Sequence, residues 1–211
     1  MNASRQGKCV FCERLLPGLS DDPWDTPLAE TDQYLIVPTK GSLVPGWLLV
    51  VSKQHALCAG ELQLSEFGDL ERAILMAKAI VERHFGPATI FEHGPAHNGT
   101  SLGCGIDHLH FHVAPLKFSL AAAVDLVVPT AEWRGLAQLQ ELRSLHLRGL
   151  GYAVVIAPEG VIRWFLPPSG IRQPLRRAIA SYLGSAKCFD YARYPYTDNV
   201  LQTLEQVAAG I

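Results

Sequence analysis

The sequence predicts an α+β fold: an antiparallel sheet with one long helix, followed by a small α+β C-terminal extension. Three observations carry this. Short apolar runs are joined by turns rich in Gly and Pro, one stretch near residues 61–85 has a helical apolar period, and DHLHFHV at 107–113 alternates as a strand does. At 211 residues the chain is long enough for one sizeable domain or for one domain with an elaboration.

The elements follow in order. A Cys-containing turn at 8–14 and a Pro/Asp-rich loop at 17–28 precede the first clear strand, QYLIVP at 33–38. The turn TKGSLVPG leads to a second apolar strand, WLLVVS at 47–52, so the pair reads as an antiparallel hairpin. Leu64, Phe67, Leu70, Ile74, Ala77, Ile80 and Val81 recur at three- and four-residue steps and form one helical stripe, which Gly86-Pro87 stops. ATIFEH at 88–93 reads as a strand, GPAHNGTSLGCG at 94–105 as a glycine-rich loop, and the histidine run as the next strand. Residues 116–130 show no clear element, and Pro115 and Pro129 bracket a boundary. The tail reads as a helix at 131–146, a hairpin at 152–166 and helices at 173–183 and 196–208. The expected division is therefore 1–125 and 126–211.

Composition narrows the function classes. Apolar residues make up 48% and charged residues 18%, as in an ordinary globular chain. A formal net charge of −2 supplies no electrostatic case for nucleic-acid or membrane binding; a short basic cluster at Arg172, Arg176 and Arg177 is the exception. No apolar run reaches the roughly 18 residues of a membrane span, and MNASRQGKCVFCERLL lacks a signal-peptide core, so a cytoplasmic protein is expected. Five cysteines, an odd count, do not suggest a secreted disulfide framework. Cys58 and Cys188 read as small buried hydrophobes.

The histidine run carries the chemistry. Side chains alternate along a strand, so His108, His110 and His112 share one face and Leu109, Phe111 and Val113 the other. The imidazoles are then spaced by roughly 6–7 Å, beside a loop whose backbone N–H groups can approach an anion. Three readings compete: satisfied structural histidines, a metal site, or nucleophilic catalysis in which the middle imidazole attacks phosphorus. Likewise, C-x-x-C in KCVFCERL reads as zinc or redox chemistry. Without a thioredoxin-like βαβ pattern around it zinc is favoured, with two free thiols as the plain alternative.

HLHFHVA resembles the His-φ-His-φ-His-φ-φ signature of the histidine-triad superfamily of nucleotidyl hydrolases and transferases. YLIVPTKGSLVPGWLLVVSKQH is similar to that family's upstream hairpin, and the helix at 61–85 and the FEHG strand fall where the family places its own. The resemblance covers about residues 8–116. GCGIDHLHFHVAP, FEHG and the tail RQPLRRAIASYLG look most like a bacterial branch with a C-terminal extension.

The resemblance implies roles. His110 would attack a nucleotide α-phosphorus and form a covalent nucleotidyl-histidine, His112 would contact the phosphate, and His108 would position its neighbours or bind metal. Gly103, Cys104 and Gly105 would lie against phosphate oxygens, Asn98 is a candidate substrate contact, and Gln173 and Arg176 could reach the site from the tail. A structural zinc would be held by Cys9, Cys12, His55 and His108, with His93 and His97 as substitute ligands or substrate contacts; no catalytic metal is required. The substrate would be a nucleotide-containing small molecule, such as a phosphoramidate or a dinucleoside polyphosphate, with no nucleic-acid or membrane partner. Homodimerisation is left open. The alternatives are a transferase using phosphate or a sugar phosphate as acceptor, and a nucleotide-binding protein with little turnover.

Departures from the family pattern bear on the second of these. Trp47 stands where many members have a histidine, Cys104 and Gly105 where they have Gln and Ser or Thr, and Thr39 or Lys40 where an acidic residue meets the ribose.

Overall fold

A computed structural model describes residues 9–100, 102 and 106–210. Eight strands form one sheet: β1 (Ala29–Glu30), β2 (Tyr34–Pro38), β3 (Leu48–Ser52), β4 (Thr89–Gly94), β5 (His110–Ala114), β6 (Arg134–Leu136), β7 (Tyr152–Ile156) and β8 (Ile162–Phe165). Their spatial order is β1-β2-β3-β5-β4-β7-β8-β6, and every neighbouring pair is antiparallel. The helices are α1 (Phe67–His84), α2 (Leu120–Val127), α3 (Leu142–Leu147), α4 (Pro174–Tyr182) and α5 (Thr197–Ala208). The expected α+β class, with a large antiparallel sheet and a long helix, is what the chain adopts. Residues 126–211 continue the same sheet, because β7 pairs with β4 along Ile90–Gly94.

The two sheet faces do different work. Leu109, Phe111 and Val113 enter a core shared with Ile36, Leu48, Val50 and the apolar stripe of α1. The opposite face carries two separate clusters. One joins Trp47 and Phe91 to α2 and α4; the other packs Cys9, Phe11 and Leu15 on Leu35, Val37, Leu49 and Val51. His110 and His112 belong to neither cluster.

Several boundaries differ from expectation for local reasons. The long helix starts at Phe67 because Gln63 and Glu66 make a capping box around a 3-10 turn; Leu64 is left exposed. The featureless segment contains α2, whose first turn is capped by the Ser119 hydroxyl accepting from Ala122 N. The helix expected at 131–146 is instead β6, which pairs with β8, then a capping box at Gln138 and Glu141 that starts the short α3. The strand of the histidine run begins at His110 rather than 107. Leu109 N donates instead to Ala56 O, outside the ladder. Among the described residues, no helix is long and apolar enough to cross a membrane.

Candidate active site

Between the two clusters lies a cavity of about 640 Å³. Its floor is the sheet: His110 and His112 of β5, Leu49 of β3 and Val37 of β2. Register puts Leu49 opposite both His112 and Val37. The segment Cys9–Phe11 with Arg14 forms one wall. Asp22, Trp24 and Asp25 form the side nearest β2, with Lys40 Nζ 4.6 Å over the Trp24 ring, and Arg176 and Tyr191 also line the cavity.

Backbone and indole groups set the tautomers of the two imidazoles. His110 Nδ1 lies 2.6 Å from the carbonyl oxygen of His108. A carbonyl can only accept, so Nδ1 carries the proton and Nε2 keeps its lone pair. Trp47 Nε1–H donates to His112 Nδ1 at 3.1 Å. An indole N–H can only donate, so in His112 the proton sits on Nε2. Among the described residues that buried Nε2 has no hydrogen-bond partner. The two rings meet edge to face with centroids 5.0 Å apart. The site therefore offers one nucleophilic nitrogen and one unsatisfied donor side by side.

Electrostatics keep the imidazoles neutral. Burial pushes the His110 pKa down, and the Arg176 charge adds to this, while the hydrogen bond to His108 O opposes it. His112 lies well below the usual histidine range, by burial first and then through His110, His93 and Arg176. His93 falls to about 3 for the same leading reason; its Nε2 accepts from Leu175 N at the start of α4. A neutral His110 keeps its lone pair for attack.

Arg176 is held firmly. It is about 1% exposed; its Nε donates to Phe189 O at 3.0 Å, Nη2 donates to Gly41 O, and its guanidinium lies 4.8 Å over the Trp47 ring. Gly41 has φ +78°, and a Cβ there would come 2.7 Å from Arg176 Nη2. Only glycine permits this approach. The tail thus brings a permanent cation to the cavity.

Beside the cavity, Cys9, Cys12, His55 and His108 converge, with their candidate ligand atoms within 4.8 Å of one another. Cys9 Sγ to His108 Nδ1 is 3.3 Å, Cys12 Sγ to His55 Nδ1 is 3.4 Å, and the two Nδ1 atoms are 3.2 Å apart. A tetrahedral zinc has N–N edges of about 3.3 Å and S–N edges of about 3.6 Å. His108 Nε2 donates to Ser52 O at 2.7 Å, which leaves Nδ1 as the metal-facing lone pair. These four residues could hold a metal such as zinc. Phe11, between the two thiols, packs edge-on against His110 with centroids 5.6 Å apart.

Of the other expected contacts, Asn98 lines the cavity and Gln173 does not. Gln173 is buried at φ 51° ahead of α4, and its Oε1 has no partner among the described residues. Gly103, Cys104 and Gly105 lie outside the described residues. His97 is exposed and belongs to neither site. Asp107 accepts from Gly99 N and ties the glycine-rich loop back on itself. Cys58 is buried and Cys188 partly so. Sequence reasoning missed Trp24, Asp25 and Tyr191, which no motif marks, and saw Trp47 only as a departure.

No family model and no curated protein matches the chain. Among solved structures it is similar to a Hit-like protein involved in cell-cycle regulation from Bartonella henselae, at 17% identity and TM-score 0.44 over 68% of this chain and 97% of that one. It is also similar to yeast Ap4A phosphorylase in complex with AMP, at 14% identity and TM-score 0.40 over 86% and 79% of the two chains. A uridylyltransferase matches at 12% identity and TM-score 0.43 over 98% and 93%.

Proposed function

We propose that this chain is a histidine-triad nucleotidyl hydrolase acting through His110, with residues 1–125 as its catalytic part and 126–211 as an extension that supplies Arg176. One observation carries the reading: two neighbouring imidazoles whose tautomers are fixed so that His110 presents a lone pair and His112 a donor into one cavity. His110 Nε2 attacks the α-phosphorus, a P–N bond forms, and the bond from phosphorus to the leaving group breaks with its electron pair. Water then attacks phosphorus and releases the nucleoside monophosphate, and Nε2 recovers its lone pair. His112 Nε2–H donates to a non-bridging oxygen as charge builds there, and Arg176 supplies fixed positive charge nearby. Asn98 contacts the substrate; Gln173 seats the start of α4.

Zinc at Cys9, Cys12, His55 and His108 would be structural, holding the N-terminal segment against the active-site strand. The donor set supports this, since the candidate ligand atoms of the two cysteines and two histidines lie within 4.8 Å of one another. Besides Arg14, which pairs with Asp22, the cavity holds the cations Lys40 and Arg176, and these favour a second reading in which an anionic acceptor such as phosphate replaces water.

The test is a turnover screen without added metal. Wild type and His110→Ala face ADP, ATP, diadenosine polyphosphates, adenosine phosphoramidates and nucleotide sugars, with and without phosphate. Nucleoside monophosphate from wild type alone supports hydrolysis. A nucleoside diphosphate appearing with phosphate supports the transferase. Equal turnover by the variant defeats both.

A further inference from the structure

A second pocket, of about 440 Å³, opens on the sheet and shares no lining residue with the histidine cavity. Thr89, at the start of β4, shares the sheet face of Phe91, two residues on. Val155 of β7 lies opposite both Phe91 and Arg163 of β8. Ala157 and Val161 follow at the strand ends, joined by the bond from Ala157 N to Val161 O. Val155, Ala157 and Val161 give the pocket an apolar floor, with Thr89 at one side and Arg163 at the other. Phe118 walls it, its ring stacked on Tyr182 with centroids 3.8 Å apart.

Hydrogen-bond donors gather on this pocket. The start of α2, Ser119 to Ala121, lines it. Ser119 takes up two of that helix's opening amides, Ala122 N through its hydroxyl oxygen and Ala123 N through its carbonyl. The amides of Leu120 and Ala121 precede any intrahelical acceptor, and the helix dipole adds partial positive charge there. The Ser119 Oγ–H can still donate. A helix terminus alone marks no ligand, but Thr89 points to one independently. It is 2% exposed and lines the pocket, and its hydroxyl has no partner among the described residues. Leaving such a group buried and unmade costs stability. Arg163 adds an exposed cation that makes no ion pair among the described residues. Glu159, exposed on the β7–β8 turn, is the opposing charge in the lining. Two amides, two hydroxyls and a guanidinium outnumber the lone pairs of a carboxylate and suit the three terminal oxygens of a phosphate.

We propose that this pocket binds a small phosphate monoester, its phosphate held by the start of α2, Thr89 and Arg163 and its apolar body by Val155, Ala157, Val161 and Phe118. The site is separate from the chemistry at His110 and does not depend on it.

Amide NMR of the 15N-labelled full chain tests it, with phenyl phosphate, inorganic phosphate, benzoate and uncharged benzyl alcohol as probes. Phenyl phosphate is expected to move the Leu120 and Ala121 amide signals saturably. Inorganic phosphate, which lacks the body, and benzoate, which lacks the third oxygen, bind there about tenfold more weakly. Thr89→Val keeps the side-chain shape and removes the hydroxyl, while Arg163→Gln removes an exposed charge. Each weakens phenyl phosphate at this site about tenfold, the scale of a hydrogen bond to a charged group. Glu159→Gln removes the opposing charge and tightens it. The His110 and His112 signals report the histidine cavity separately and respond to phenyl phosphate in the variants as they do in wild type. The proposal is overturned if phenyl phosphate leaves Leu120 and Ala121 unmoved, or moves only the His110 and His112 signals. Binding unchanged in both Thr89→Val and Arg163→Gln overturns it too, as does benzoate or benzyl alcohol binding as tightly as phenyl phosphate.

Discussion

Replacing Trp47 with Phe tests how the phosphate-facing imidazole is set. Trp47 is fully buried, and its Nε1–H is the donor to His112 Nδ1. The variant removes that donor, leaves a buried acceptor unsatisfied at a cost of about 1–3 kcal/mol, and opens part of a cavity worth about 1–2 kcal/mol. It also weakens the cation–π contact of Arg176. The expected loss is about 2–4 kcal/mol. For a chain of this size that is a fall in melting temperature of about 5–15 °C. The functional consequence is separate. Without the indole, the His112 tautomer with a proton on Nδ1 becomes competitive: each shift of about 1 kcal/mol in the preference changes the tautomer ratio about fivefold. Long-range 15N–1H correlation spectra read the tautomer without a substrate; kcat for nucleotide release reads its effect. Wild type is expected to show the Nε2–H form of His112 and the variant a mixture, with kcat reduced in proportion to the remaining Nε2–H fraction. A variant that keeps the pure Nε2–H form and full kcat would refute the claim that Trp47 sets the tautomer.

The other predictions concern charge, metal and backbone. Glu92 is buried, accepts from Ala59 N and Tyr152 Oη–H, and has its pKa raised by burial from 4.5 to about 7. Its stabilising effect is therefore complete below pH 4.5 and is lost as pH rises to 7, so wild type should lose about 3 kcal/mol relative to Glu92→Gln between pH 4.5 and 8; parallel denaturation profiles across that range would exclude it. Purified protein should carry one zinc per chain that survives His110→Ala but not Cys12→Ser, with chelation lowering the melting temperature by more than about 10 °C; elemental analysis and a thermal scan decide this. Gly41→Ala forces a side chain at φ +78° against Tyr191 and the Arg176 guanidinium. It should cost about 2–4 kcal/mol and lower kcat/KM, as denaturation and kinetics can measure; a neutral result would mean Arg176 is not held there.

Most of the central sheet was legible because its strands are short apolar runs between Gly and Pro turns, and the long helix because its stripe runs unbroken from Phe67 to Val81. The histidine run was legible by alternation alone, and His110 and His112 do share a face. The four converging ligands were reached through resemblance: nothing in local pattern joins Cys9 to His108, 99 residues away. The helix expected at 131–146 failed because helix-forming residues around Gly135 pair with β8, a tertiary preference that local propensity does not register. The cavity's far side was invisible for a similar reason. Trp24 and Asp25 sit in a Pro/Asp loop that becomes a wall only when β2 and α5 pack beneath it.

The central claim is a covalent link between His110 and the nucleotide. Stereochemistry at the α-phosphorus tests it most directly, using the best substrate of the screen in its chiral α-thio form, hydrolysed in 18O-labelled water. Two successive in-line displacements, by His110 and then by water, predict net retention of configuration. Net inversion would mean that water attacks phosphorus directly, and would contradict the account.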